Sequence, residues 1–323
     1  MEYKYVFLQL CAVTFYSFMP VMMKHFKYDG LTLTLLEGFI GLIMVTLVIF
    51  SYDHFDHISI KLNQLYSYNI THVLLCLPPI YFLTYNIALQ NLPASIGMPI
   101  TNIQPIIIIL MNKLFYNIDI NNYQYMAFVI LLLGTYIVSR SKSKEKFSFI
   151  YILILLCGVF TSSLFISLMK LLPESKSIEK YTFLDANVDY SIIVAPVFIV
   201  MTILSVFTLS TKNKILPKEL HINKIPDFTT TLQIMLGFLI VGYVANILGW
   251  SAYQHQPINT FATIDLLNVP ISLIVGYYIL NEKISLQKIM GCVLIIFGCF
   301  INIMNTNNNN KYVLTKSFKP LLS

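Results

Sequence analysis

Of the fifteen Asp and Glu residues in the chain, two, Glu37 and Asp265, sit deep inside long apolar runs. A carboxylate in such a run costs at least about 2.5 to 3.5 kcal/mol to place in a bilayer, so it persists where it is paired, protonated or facing water. Both acids therefore stand as candidates for binding a substrate or exchanging a proton, with Glu37 weighed against tight helix packing at Gly38 and Gly41. Asn268 follows Asp265 by three residues, which puts both on one helical face, one turn before Pro270 opens the backbone. Thr101 and Gln104 carry the same i, i+3 spacing just before Pro105. The expected site is thus two polar half-sites with an acid on one side only, with Asn86, Asn102 and Asn246 as further amide contacts. Lys24 and Lys170 are candidate gates at opposite membrane faces, weighed against snorkelling to headgroups. Trp250 and the Tyr-rich segments are assigned to packing and interfacial positions.

These residues need long apolar helices to hold them. The 323 residues are 57% hydrophobic and 11% charged, against about 25% charged in soluble domains. That excludes an ordinary soluble enzyme. The formal charge of +6 is scattered over short segments between apolar runs, which fits loops beside lipid headgroups and not a nucleic-acid face. A bilayer core of about 30 Å takes roughly 20 helical residues, and ten runs qualify. They are Tyr5 to Met23, Leu31 to Phe50, Thr71 to Gln90, Ala94 to Leu114, Tyr123 to Ser139, Phe147 to Leu171, Tyr190 to Leu209, Leu232 to Tyr253, Ile258 to Leu280 and Leu286 to Met304. Within these spans Glu37 and Asp265 lie roughly 9 to 11 Å from the nearer helix end at 1.5 Å per residue.

The segment 140–146 is rich in Lys and Arg and divides the spans five and five. The two parts resemble each other. Tyr5, Cys11, Val13, Ser17, Met23 and Lys24 recur without a gap as Tyr151, Cys157, Val159, Ser163, Met169 and Lys170, an offset of 146. Farther on, Ala88 and Gly134 recur as Ala252 and Gly298 at an offset of 164, and Pro105 has Pro270 as its counterpart. An odd number of spans per copy makes the second enter the membrane from the opposite side, an inverted repeat of the kind found in carriers. The organisation expected is a first repeat over 1–139, a basic linker over 140–146, a second repeat over 147–304 and a polar tail over 305–323.

Pro270, Asn281-Glu282-Lys283-Ile284-Ser285, Gln287, Gly291 and Gly298 resemble the end of an EamA-type repeat of the drug/metabolite transporter superfamily. Two copies of that repeat cover nearly the whole chain. The first copy is degenerate, with Ile118 in place of the loop Glu and Ala127 in place of Gly291. Asn281 stands where the family usually has Gly. The resemblance implies an all-α integral membrane protein of ten transmembrane helices, with peripheral fifth and tenth helices and a central cavity for a small polar or amphipathic compound. Ser285 reads as the N-cap of the last helix, with Glu282 in the turn before it.

No Gly-rich phosphate loop, H-E-x-x-H pair or G-x-S-x-G elbow is present, and the five cysteines fall inside apolar runs without C-x-x-C spacing. The expectation is therefore a secondary carrier working by alternating access, without cofactor or metal, whose partners are a small-molecule substrate and the lipid bilayer. Proton coupling and a homodimer are left open. The competing class is an intramembrane enzyme or a scaffold that keeps the carrier fold.

Overall fold

A computed structural model of the chain describes residues 3–26, 30–51, 58–67, 69–92, 97, 100–118, 120–139, 148–170, 185–210, 227–281 and 284–306. The expected linker 140–146, the tail beyond 306 and Glu282 fall outside them. Among the described residues there are twelve helices and no strand. They are α1 (Tyr3–Phe26), α2 (Gly30–Phe50), α3 (Ile58–Tyr66), α4 (Asn69–Asn91), α5 (Gln104–Tyr116), α6 (Asn122–Ser139), α7 (Phe149–Met169), α8 (Asp185–Ser210), α9 (Phe228–His255), α10 (Ile258–Asp265), α11 (Asn268–Leu280) and α12 (Leu286–Met304).

Each expected span has its helix, and four segments are long and apolar enough to cross a membrane on length and composition alone: Phe149–Met169, Phe228–Tyr253, Ile258–Leu280 and Leu286–Met304. The exposed faces are apolar, as suits contact with lipid. On α12, Ile289, Val293, Ile296 and Phe300 point outward while Gly291, Ile295, Gly298, Cys299 and Asn302 are buried. One helix was not foreseen. The nine residues of α3 have Ile58, Leu62 and Leu65 on one stripe; Leu65 is buried against Val48, Val188 and Ile192. At about 14 Å it is too short to span.

The ninth span is also not continuous. It breaks at Leu266 and Leu267 between α10 and α11, because Pro270 has no N–H to offer the carbonyl four residues earlier and its ring crowds that carbonyl. The chain tightens instead: Leu266, Leu267 and Val269 donate to the carbonyls of Thr263, Ile264 and Leu266 at 3.2, 3.0 and 3.2 Å. The fourth span does the same before α5, where Ile103 donates to Ile100 at 3.2 Å and Ile106 to Ile103 at 3.0 Å. Both half-helices that follow run for 13 residues and end on an Asn in the left-handed region, Asn117 (φ 51°) and Asn281 (φ 53°). Asn is one of the few side chains that tolerates that conformation, which accounts for its standing where a Gly would be usual.

The packing has a regular pattern. The most extensive helix pairs are α6 with α12, α1 with α9, α4 with α7 and α2 with α8. Exchanging α1 with α7, α2 with α8, α4 with α9, α5 with α11 and α6 with α12 returns the same set of pairs, and it also carries α1 with α11 into α7 with α5. At the α6–α12 crossing, a Cβ on Gly134 would come within 2.9 Å of the Gly291 carbonyl oxygen, and one on Gly291 within 2.7 Å of the Gly134 carbonyl oxygen. Small residues here let two backbones touch. At α7 the last carbonyls find side-chain donors: the Tyr253 hydroxyl donates to the Ile166 carbonyl and the Tyr116 hydroxyl to the Ser167 carbonyl, both at 2.5 Å. Ser285 caps α12 as its position implies, accepting from the Lys288 N–H at 3.3 Å.

Enlarging Gly134 must push α6 off α12, whereas a methyl on Gly249 meets its nearest neighbour, the Ala12 Cβ, at 3.6 Å. Gly134→Val is expected to cost about 1–3 kcal/mol and to lower the melting temperature in detergent, with Gly249→Ala near wild type; thermal size-exclusion profiles check both.

Candidate functional site

The two breaks meet at the centre of the bundle, and there the packing opens into a cavity of about 520 Å³, within the roughly 300–1,000 Å³ of small-molecule sites. Six of the expected site residues line it: Thr101, Asn102 and Gln104 from the fourth span, Asn246 from α9, and Asp265 and Asn268 from either side of the ninth-span break. Glu37, Asn86 and Lys24 lie in α2, α4 and α1, but their side chains fall outside the described set. Lys170 is not on the cavity wall. Its ammonium donates to the Tyr253 carbonyl and lies 4.5 Å from the centre of the Tyr253 ring, at the C-terminal end of α7 where a cation suits the helix dipole.

Four of these six residues, Gln104, Asn246, Asp265 and Asn268, are held by side chains from other helices. Gln9 on α1 is buried and its Nε2 donates to the Asp265 carboxylate at 2.5 Å. Among the described residues Asp265 has no cationic partner. Tyr16, also on α1, donates to Asn246 Oδ1 at 2.9 Å. Asn268 Oδ1 accepts from Ser17 Oγ at 2.7 Å and from Ser272 Oγ at 2.9 Å. Gln104 Nε2 donates to Ser162 Oγ at 2.7 Å. The bonds on the two sides correspond down to the atom: Ser17 Oγ bonds the Val13 carbonyl at 2.7 Å and reaches the Asn268 carbonyl at 3.4 Å, while Ser163 Oγ bonds the Val159 carbonyl at 2.7 Å and reaches the Gln104 carbonyl at 3.4 Å.

Aromatic rings make up much of the remaining wall. Trp250, assigned above to packing or an interface, stacks on Tyr190 with centroids 4.4 Å apart and planes at 25°; Phe165 meets Trp250 edge-on at 6.4 Å. All three line the cavity, as do Tyr16, Tyr81 and Tyr85. Gly41 also lines it, and an added Cβ there would press within 2.6 Å of the Phe198 ring, in keeping with the packing weighed for α2. A further buried acid lies just outside the expected spans: α8 begins at Asp185, five residues before the expected start, and Asp189 in its early turns is 7% exposed. It does not line the cavity. Gln9 and Tyr16 had a signal, since with Val13 and Ser17 they form one face of α1 at helical spacing, but no partner was visible from the run itself.

Comparison with known proteins places this architecture. Residues 3–140 match the EamA-like transporter family, and residues 231–321 match a family described as Magnesium transporter NIPA. A solved crystal structure superposes on 94% of this chain and 98% of its own with a TM-score of 0.68 at 12% identity, which shows a shared fold alone. No curated protein matches the sequence.

Replacing Asn268 with Leu removes the acceptor shared by two serine hydroxyls, one of them fully buried. Each hydroxyl keeps a carbonyl acceptor, that of Val13 for Ser17 and that of Ser17 for Ser272, so the loss is about 0.5–1.5 kcal/mol per hydrogen bond, and Asn268→Leu is expected to lower the melting temperature further than Ser272→Ala, which leaves the Ser17–Asn268 contact in place.

Proposed function

We propose that the chain is a secondary carrier of a small metabolite working by alternating access around the central cavity, a reading supported by the match of residues 3–140 to the EamA-like transporter family. The observation that carries this reading is Asp265: a carboxylate at a break in a membrane-spanning helix, held by Gln9 alone among the described residues and open to a cavity lined by both halves. A group of that kind is worth its insertion cost where it binds a substrate or exchanges a proton.

We read the two halves as inverted repeats. Supporting this are the exchange-invariant helix pairs, the equal half-helices α5 and α11, and the matching Ser17–Asn268 and Ser163–Gln104 contacts. Gly134 against Gly291 has its counterpart in Gly298 against Ala127, whose carbonyl oxygen lies 3.2 Å from the position of a Cβ on Gly298. Two such halves can rock about the midplane between conformations of similar energy, which is what alternating access requires.

The test is thermal stability of the detergent-purified chain against amino acids, nucleosides, nucleotide sugars, polyamines and phosphorylated metabolites. A compound at a hundred times its Kd stabilises by about 2.7 kcal/mol when it binds only the folded state. A shift that disappears in Asp265→Asn is the expected result; a folded protein that no member stabilises, or a shift indifferent to Asp265, contradicts the assignment.

A further inference from the structure

Buried polar atoms without a partner gather at one place away from the central cavity. Seven side-chain nitrogen and oxygen atoms are buried and unpaired among the described residues, and six of them belong to Asn112, Ser167, Gln256, Thr260 and Asn302. All five residues are more than nine-tenths buried, and none of them lines the cavity. Their contacts tie them to α10. Asn112 Nδ2 on α5 donates to Asn259 Oδ1 at 2.9 Å, and Asn302 Nδ2 on α12 donates to Thr263 Oγ1. One turn beyond Asn112, the Tyr116 hydroxyl bonds the Ser167 carbonyl at 2.5 Å. At 3.6 residues per turn Asn259, Thr260 and Thr263 share an arc of about 100° on α10, and Asp265 lies at least about 120° from each. The helix thus has a second polar face, turned away from the one that carries Asp265.

Two features of this cluster point to a cation. Four of the five residues stand at C-terminal helix ends: Asn112 near that of α5, Ser167 and Asn302 in the last turns of α7 and α12, and Gln256 as the residue that closes α9. Such ends carry negative partial charge, and carriers use them to hold coupling ions. Thr260 belongs to the first turn of α10, whose positive end stands against those four. The second feature is the ligand type. Five of the six unpaired atoms are amide or hydroxyl oxygens. Mg²⁺ and Ca²⁺ draw on carboxylates and transition metals on imidazole or thiolate, whereas neutral oxygens replace the hydration shell of an alkali cation. We propose that an alkali-metal cation binds between the end of α5 and the start of α10, held by Asn112 Oδ1, Gln256 Oε1 and Thr260 Oγ1, with a water of its shell accepting from Gln256 Nε2.

The experiment follows thermal unfolding of the purified full chain in detergent with NaCl, KCl, choline chloride or MgCl₂ as the one added salt, at matched ionic strength. NaCl or KCl is expected to raise the midpoint saturably above its value in choline chloride, and MgCl₂ is not. Thr260→Val keeps the branched shape and removes the hydroxyl, so it is expected to abolish that rise, while Thr260→Ser retains it. Asp265→Asn is expected to keep the rise, since that acid lies on another face of α10 and in the central cavity. The ranking of salts on the unsubstituted chain decides the proposal even if Thr260→Val does not fold. Equal midpoints in all three monovalent salts, or a larger saturable rise with MgCl₂, overturn it. So does a rise that survives in Thr260→Val and vanishes in Asp265→Asn, which would put the ion in the central cavity. Thr260→Val that is more stable than the unsubstituted chain in every salt also overturns it, because that is the result of removing an unpaired hydroxyl from a dry interior. None of these results bears on the carrier reading, which stands or falls on the substrate panel.

Discussion

Inside a bilayer a backbone amide has no water to turn to, so any interruption of a spanning helix must be covered by protein or face a wet cavity. The two proline-linked breaks, before α5 and between α10 and α11, meet this constraint together. Each tightens into i to i−3 bonding, and each faces the other half of the molecule across the same cavity. Much of the arrangement follows from accommodating them. The Ser17 and Ser163 hydroxyls approach the first carbonyl of each half-helix, that of Asn268 and that of Gln104, and α1 and α7 lie against α11 and α5 to deliver those serines. The polar site gathers at the breaks, with Thr101 and Gln104 before Pro105 and Asp265 and Asn268 before Pro270 on the cavity wall.

The outer pair does a different job. Close backbone approach at Gly134 and Gly291, flanked by Leu131, Val138 and Ile295, joins α6 to α12, while Met126, Val129, Leu133, Ile289, Val293 and Phe300 stay exposed on the far faces. That makes the pair a rigid clasp at the edge, which leaves the inner helices to carry the cavity. The crossing of α1 with α9 is less restrictive, and movement between accessible states, as proposed here, is assigned to it. Gly249 meets Ala12 at ordinary van der Waals distance, in contrast to the contacts under 3 Å that Cβ atoms would make at the α6–α12 crossing.

Much of this was legible in the chain itself. Apolar run length located the helices, and the i, i+3 pairs before Pro105 and Pro270 pointed to residues that line the cavity, because those signals are periodic and local. The recurrence of Ser17 as Ser163 was visible as well, although its meaning was not: a serine match says nothing about the half-helix each hydroxyl approaches until the halves are folded together. Gln9 stayed hidden for the same reason. An isolated amide in an apolar run reveals no partner 256 residues away. Trp250 illustrates another limit, since aromatic residues serve packing, interface and binding alike, and only the position of Tyr190 distinguishes them. The short helix α3 and the early start of α8, which buries Asp189, were missed because a rule keyed to bilayer thickness ignores short helices and polar first turns.

The central claim is that this cavity opens to each side of the membrane in turn. The direct measurement replaces the five native cysteines, places one reporter cysteine at Ser162 on the cavity wall, reconstitutes the protein in oriented proteoliposomes, and follows its reaction with a membrane-impermeant maleimide applied from either side, with and without a compound that stabilises the purified protein. Alternating access predicts labelling from both sides at rates that the ligand shifts in opposite directions. Labelling from one side alone under every condition would contradict it and favour a static fold that keeps the architecture of a carrier without the movement.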